Sequence, residues 1–209
     1  LREFTERTSG LLGVSSDIAR SRTLLAFYRP FLPEQEIAYA VACMEGASVA
    51  HLKFRLGLLT SRFRANHPLK ACRSCIQADL EAHGWLYWHK VHQYPGVWVC
   101  PQHGELLQVS TLKSTGVERF QWHLPDPGTL IPFLVDVSGE SRIQLTRLAE
   151  LVSLLVDSGE GDGLLNAPVI QSALRSRMSE RGWVTPSGQL RLPDAAQEFL
   201  VLSRTLRSV

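Results

Sequence analysis

Apolar positions recur at helical spacing along most of the chain. Ile37, Val41 and Met44 share one face of a segment that Phe31-Leu-Pro-Glu-Gln-Glu opens. Pro33 suits a first helical position, and the acids of the first turn oppose the helix dipole. Gly46 is the expected stop. After a short break, Ser48 is placed to cap a second helix with Leu52, Leu56 and Leu59 on one face. The pair reads either as a helix-turn-helix, with the second helix facing a groove, or as an ordinary helical hairpin inside a core. Further on, Ile143, Leu145, Leu148, Leu151 and Leu155 repeat at helical spacing within 142–156. Asn166 is set to cap a helix that starts at Pro168 and stops before Gly182. Trp183 to Leu192 reads as two very short strands about a Pro-Ser-Gly turn, followed by a last helix from near Pro193. Helix, small hairpin, helix has winged-helix character; three packed helices with a surface turn, serving as a docking domain, is the alternative.

The helical pattern breaks between residues 67 and 110, where cysteines and aromatic residues concentrate. Cys72-Arg-Ser-Cys75 and Cys100-Pro-Gln-His103 each hold two ligand types three positions apart, and 24 residues separate the pairs. That spacing lets one tight turn aim both side chains at a single ion. Two such turns, brought together from the ends of a short hairpin, satisfy the tetrahedral preference of Zn²⁺ for N and S ligands. Gly104 supplies the permissive backbone after the second pair. A redox dithiol leaves the Cys100/His103 pair unexplained, and a disulfide is disfavoured in a reducing compartment. His103-Gly-Glu105 matches the H-x-E of zinc deaminases, but here it follows both pairs instead of preceding a P-C-x-x-C. Four protein ligands also leave no position for water, so one structural ion is expected and no catalytic residue is assigned.

Gly84 to Trp98 carries five aromatic rings, which either stack on bases or roof a small metal site. His89 and His92 have no accompanying Cys or acidic pair and are expected to hydrogen-bond within the module. Cys43 reads as a small buried hydrophobe. Residues 111–140, with Gly116, Pro125, Pro127, Gly128 and Pro132, read as a connector. The expected organisation is an N-terminal helical region (1–66), a zinc-binding module (67–110), the connector, and a C-terminal helical, winged-helix-like domain (141–209). The fold class is mainly α: helical bundle elements with helix-turn-helix-like character plus a small zinc-ribbon or zinc-finger module.

Charge modifies this picture only locally. The 209-residue chain is 44% hydrophobic with a net charge of +2, and no apolar run reaches the roughly 18 residues of a membrane span. Residues 1–50 hold five basic and six acidic side chains, and 142–209 hold eight and seven. Between 51 and 75, Lys53, Arg55, Arg62, Arg64, Lys70 and Arg73 stand without a single acid. Such an excess attracts a phosphate backbone, or forms a solvated face. These six are the candidate DNA-binding residues.

Three stretches together resemble the TniQ/TnsD family: Leu69-Lys-Ala-Cys-Arg-Ser-Cys, Tyr87-Trp-His-Lys-Val-His-Gln-Tyr-Pro-Gly-Val and Val99-Cys-Pro-Gln-His-Gly. Weaker similarity runs through Arg22-Thr-Leu-Leu, Tyr28-Arg-Pro-Phe-Leu-Pro and the 51–62 segment, and through Arg181-Gly-Trp-Val-Thr-Pro-Ser-Gly-Gln-Leu-Arg. The family's usual proline after the first cysteine is Arg73 here, and its members usually begin with a further segment. With Leu1 in place of an initiator methionine, a fragment of a longer polypeptide is expected. The resemblance implies a non-enzymatic target-site selector in the bacterial cytoplasm, associated with the nucleoid. It would recognise double-stranded DNA at an attachment site, or a guide-RNA effector complex bound there, and recruit the transposon's AAA+ ATPase and through it the transposase. The alternative is a protein-protein adaptor that bridges a separate targeting complex to the ATPase without touching DNA.

Overall fold

Pro33 and Gly46 bracket a helix as their chemistry demands: Glu34–Glu45 is helical, Pro33 is its extended N-cap, and the Gly46 N–H closes the last turn on Ala42 O at 3.0 Å. The computed structural model describes residues 1–46, 48–49, 51–56, 68–112, 122–132, 137–159, 165–197 and 200. Its helices are α1 (Arg2–Arg7), α2 (Ser15–Asp17), α3 (Leu25–Tyr28), α4 (Glu34–Glu45), α5 (Leu52–Arg55), α6 (Arg73–His83), α7 (Gly139–Gly159) and α8 (Ala167–Glu180). The architecture is mainly helical, with a small sheet of β1 (Lys70–Ala71), β2 (Gln108–Ser110) and β3 (Leu130–Ile131). Among the described residues no helix is long and apolar enough to cross a membrane.

The first layer packs α2 to α5 around Ala19, Leu25, Ile37, Ala40, Val41 and Leu52. Ser48 does not cap the second helix of this layer. α5 starts at Leu52 from His51, whose φ of +65° puts it in the left-handed region and whose side chain makes no cap hydrogen bond. Leu59, Arg62 and Arg64 lie outside the described residues, so the later part of the expected second helix does too.

The cysteine-rich stretch contains a helix where tight turns were expected. Cys72 is the N-cap of α6, Cys75 lies in its first turn, and Gly84, at φ +71°, ends it. The signal was in the sequence: Cys75, Ile76 and Asp79, at i, i+1 and i+4, form the buried face. The strands on either side deliver the two ligand pairs to each other. β1 and β2 run antiparallel, with Lys70 opposite Val109 and Ala71 opposite Gln108, and β3 extends the sheet with Val109 opposite Ile131. Cys72 follows β1 directly. An isolated bridge between Val99 and Leu106 closes the loop that carries Cys100 and His103.

α7 is present, but its buried face differs from the leucine repeat read in the sequence. Leu145, Ala149, Val152 and Val156 face inward, whereas Ile143, Leu151 and Leu154 are exposed. A helix packed this closely selects small residues at the contact, and alanine and valine carry weaker periodicity signals than leucine. The principal core joins three parts of the chain: Ala26 of α3, then Cys72, Cys75, Tyr94, Val97, Cys100 and Leu107, then Ala149, Val152 and Val156 of α7. Cystine-free thiols and aliphatic side chains thus form one cluster spanning the expected segment boundaries. α8 begins as read, with the Asn166 side chain accepting from Val169 N at 3.1 Å and Pro168 in the first turn. Beyond it, Val184 and Leu190 bridge across a turn in which Gly188 has φ +82°, and residues 192–197 are helical.

Candidate metal centre

Cys72, Cys75, Cys100 and His103 converge, their ligand atoms all lying within 4.8 Å of one another. His103 Nδ1 is 3.5 Å from Cys72 Sγ, 3.3 Å from Cys75 Sγ and 3.6 Å from Cys100 Sγ, and the Cys75 and Cys100 sulfurs are 3.7 Å apart. A tetrahedral Zn²⁺ with arms of about 2.3 Å to sulfur and about 2.0 Å to nitrogen has S···S edges near ~3.7 Å and S···N edges near ~3.5 Å. The four edges given above match those values. All three cysteines are buried and His103 is exposed, so the cluster sits at the rim of the core with its histidine as the outer wall.

Local backbone geometry prepares the sulfurs for negative charge. The Cys75 N–H hydrogen-bonds the Cys72 sulfur, and the Gln102 and His103 N–H groups hydrogen-bond that of Cys100. Protons are unevenly shared among the three. The thiol of Cys72 hydrogen-bonds Cys100, which pushes Cys72 up and holds Cys100 well below the ordinary thiol range. Burial first, and the neighbouring Cys100 second, push Cys75 up to about 12. Three thiolates therefore cannot coexist here without a countercharge, which a divalent cation bound between them would supply.

Glu105 locks the two knuckles together. Its carboxylate accepts from the Ser74 hydroxyl at 2.6 Å and from the Ser74 N–H at 3.4 Å, capping the start of α6 from a residue 31 positions away. These Ser74 contacts, chiefly the hydroxyl, hold Glu105 below the usual carboxylate range. The H-x-E similarity thus reflects a helix cap. Arg142, in the first turn of α7, donates to Gly104 O at 2.9 Å and ties the second knuckle to the C-terminal helix. Gly96, at φ +78°, brings the Tyr-Pro-Gly-Val loop so close to α7 that an added Cβ would lie 3.1 Å from Leu148 Cδ2. Neither Glu105 nor Arg142 was legible as a partner of the centre, because each contact joins positions distant in sequence.

The five aromatic rings divide. Trp88 packs against Ala71, Ile76 and Leu130, Tyr94 is buried and stacks on Phe27 at 5.7 Å, and the Trp98 ring lies 4.4 Å from Lys70 Nζ. Those three roof the module, whereas Trp85 and Tyr87 face solvent. His89 and His92 hydrogen-bond inside the module as expected, His89 to Asp79 at 2.8 Å and His92 to the Cys75 sulfur at 3.8 Å.

Of the basic residues of 51–75 whose side chains are described, Lys70 and Arg55 are engaged within the fold. Lys70 is 4% exposed, and its ammonium donates to Tyr94 O at 3.2 Å and Val97 O at 2.6 Å, clamping the loop. Burial pushes its pKa down to about 7. A side chain so enclosed does not reach a phosphate. Arg55 pairs with both carboxylate oxygens of Glu36 at 2.8 Å and stacks on the Tyr39 ring at 3.8 Å. Arg73 is exposed at the first position of α6, and Lys53 lies in α5.

A mainly helical chain that gathers three cysteines and a histidine on a shared core carries a site that could hold a metal ion. The TniQ family model matches residues 5–107, a stretch that contains all four ligand positions, so the chain carries a TniQ-family domain. It is similar to the "Transposon Tn7 transposition protein TnsD" of Escherichia coli, 26% identical over 136 residues that make up 65% of this chain and 26% of that protein. The chain thus spans about a quarter of the length of that relative.

Proposed function

We propose that this protein is a targeting component of a Tn7-type transposition system, which holds one structural Zn²⁺ and acts by binding rather than by catalysis. Its four ligand positions, with Ala26, Tyr94, Val97 and Leu107 of the core that seats them, fall within the TniQ stretch, and that coincidence carries the reading. In this role the zinc centre fixes α6 and its Arg73 relative to α4 and α5, and Lys53, Arg55, Arg62, Arg64 and Arg73 face the phosphates of double-stranded DNA at the insertion site. The DNA-bound protein then recruits the AAA+ ATPase, and through it the transposase. Fluorescence anisotropy with duplex DNA across a salt series tests this. Affinity falls steeply with salt, and Arg73→Glu lowers both affinity and the salt slope, by about one counterion per lost phosphate contact. Unchanged affinity and slope in Arg73→Glu together with Arg55→Glu would remove the basic segment from the DNA footprint.

A second reading is favoured by the internal engagement of Lys70 and Arg55. In it the protein bridges a separate targeting complex, such as a guide-RNA effector, to the ATPase without touching DNA. Retention of ATPase binding by a chain that shifts no duplex DNA would select it.

A further inference from the structure

His92 is 1% exposed and is not one of the four metal-ligating positions, yet its ring is aimed at them. Nε2 lies 3.8 Å from Cys75 Sγ, and the same side chain hydrogen-bonds the Cys100 sulfur. Nδ1 is buried and meets no hydrogen-bond partner among the described residues. A neutral imidazole carries one N–H. Placed on Nδ1 that hydrogen would be orphaned in the core; placed on Nε2 it faces two sulfurs, which as thiolates are pure acceptors. The ring is held in this pose by a column of aromatic groups. His92 and His89 lie 5.0 Å apart, His89 and Tyr87 stack at 4.4 Å, and His89 Nε2 sits 2.8 Å from a carboxylate oxygen of Asp79. Asp79 is itself 6% exposed and stands one helical turn beyond Cys75 on α6, and it also hydrogen-bonds the Tyr87 hydroxyl.

We infer that His92 is a positioning residue of the metal centre, its Nε2–H donating to the Cys75 and Cys100 thiolates while the Asp79–His89 pair fixes its ring. This rests on the proposal that the four ligands hold zinc. The hydrogen bond draws charge from two sulfurs on the enclosed side of the cluster, opposite the exposed His103, and so steadies three thiolates around one dication. The competing account is that His92 merely fills space, in which case phenylalanine replaces it without loss.

The test uses the full chain loaded with zinc, or with cobalt as a spectroscopic probe. Wild type binds one metal per chain. His92→Phe transfers zinc to a colorimetric chelator about 10- to 100-fold faster and shifts the sulfur-to-cobalt charge-transfer band, in line with the loss of an outer-shell donor. His92→Gln keeps an N–H donor and restores both readouts toward wild type. Wild-type release rate and an unmoved band in His92→Phe overturn the inference, as does a His92→Gln variant no better than His92→Phe. Should His92→Phe fail to fold, imidazole ¹⁵N spectra of the wild-type zinc form decide: a proton on Nε2 supports the assignment and one on Nδ1 overturns it. A wild-type chain that binds no metal overturns the zinc reading and this inference together, whereas the other outcomes overturn this inference alone.

Discussion

Gly96 offers a direct measure of how firmly the metal module is packed against α7. Its φ of +78° lies in the left-handed region, so any side chain there costs about 1–2 kcal/mol in backbone strain. Alanine adds a second cost, because its Cβ would stand 3.1 Å from Leu148 Cδ2 and 3.6 Å from Leu148 Cγ. The leucine end can yield by a few tenths of an ångström, and the crowding adds about 1 kcal/mol, at the low end of overpacking costs. Gly96→Ala is therefore expected to destabilise the zinc-loaded chain by about 2–3 kcal/mol. Gly104 is the matched control: its φ is +65°, and nothing lies within 4 Å of an added Cβ. Gly104→Ala should cost only the backbone share, about 1–2 kcal/mol. Equilibrium urea unfolding of both variants, and of each combined with Leu148→Ala, separates the two effects. Leu148→Ala should absorb the excess at Gly96 and leave Gly104 untouched, a coupling visible in the double-mutant cycle. Equal losses in the two glycine variants, or strict additivity of Gly96→Ala with Leu148→Ala, would refute the packing of the Pro-Gly-Val turn on α7.

Three further outcomes follow from named contacts. Cys100→Ser or Cys72→Ser should lose stoichiometric zinc and the cooperative unfolding transition, since structural zinc contributes folding energy directly; metal analysis showing one zinc retained per chain would contradict this. Lys70 has a folded pKa of about 7 against an ordinary 10.5, so between these values the unfolded chain binds more protons than the folded one and stability rises with pH. Lys70→Met should flatten that rise, which is at most about 1.4 kcal/mol per pH unit, and superimposable pH profiles for the two chains would count against the burial of the ammonium. Asn166→Ala removes the side chain that accepts from Val169 N and should cost about 1 kcal/mol, read as a lower urea midpoint; Asn166→Asp should keep most of it.

Legibility from sequence depended on how local each cause was. Pro33 with Gly46, and Asn166 with Pro168, set helix ends through groups within one turn, so α4 and α8 start and stop within a residue or two of the positions read. The ligand quartet was legible because its chemistry is written in residue type and spacing. α6 was missed because the C-x-x-C spacing suggested a turn and drew attention from the Cys75, Ile76, Asp79 face. Lys70 looked like one cation among six. Only the carbonyls of Tyr94 and Val97, more than twenty positions away, explain its burial. The connector reading likewise gave no hint that α7 would complete the cysteine core, since the match between Ala149, Val152 and Tyr94, Val97 is a property of shape and not of pattern.

That shared core sets an order of assembly during synthesis. A nascent chain that has just emitted His103 already owns every ligand position, but the core around Tyr94 and Val97 stays incomplete until Ala149, Val152 and Val156 follow. On the zinc reading, an ion captured early would be held by a half-built wall, and its residence would lengthen when the last helix of that core docks. Ribosomal products that stop before Gly139 would therefore display a sticky, leaky centre, the kind of surface that cellular quality control removes. On that reading, the residence time of a bound metal would report whether α7 has arrived.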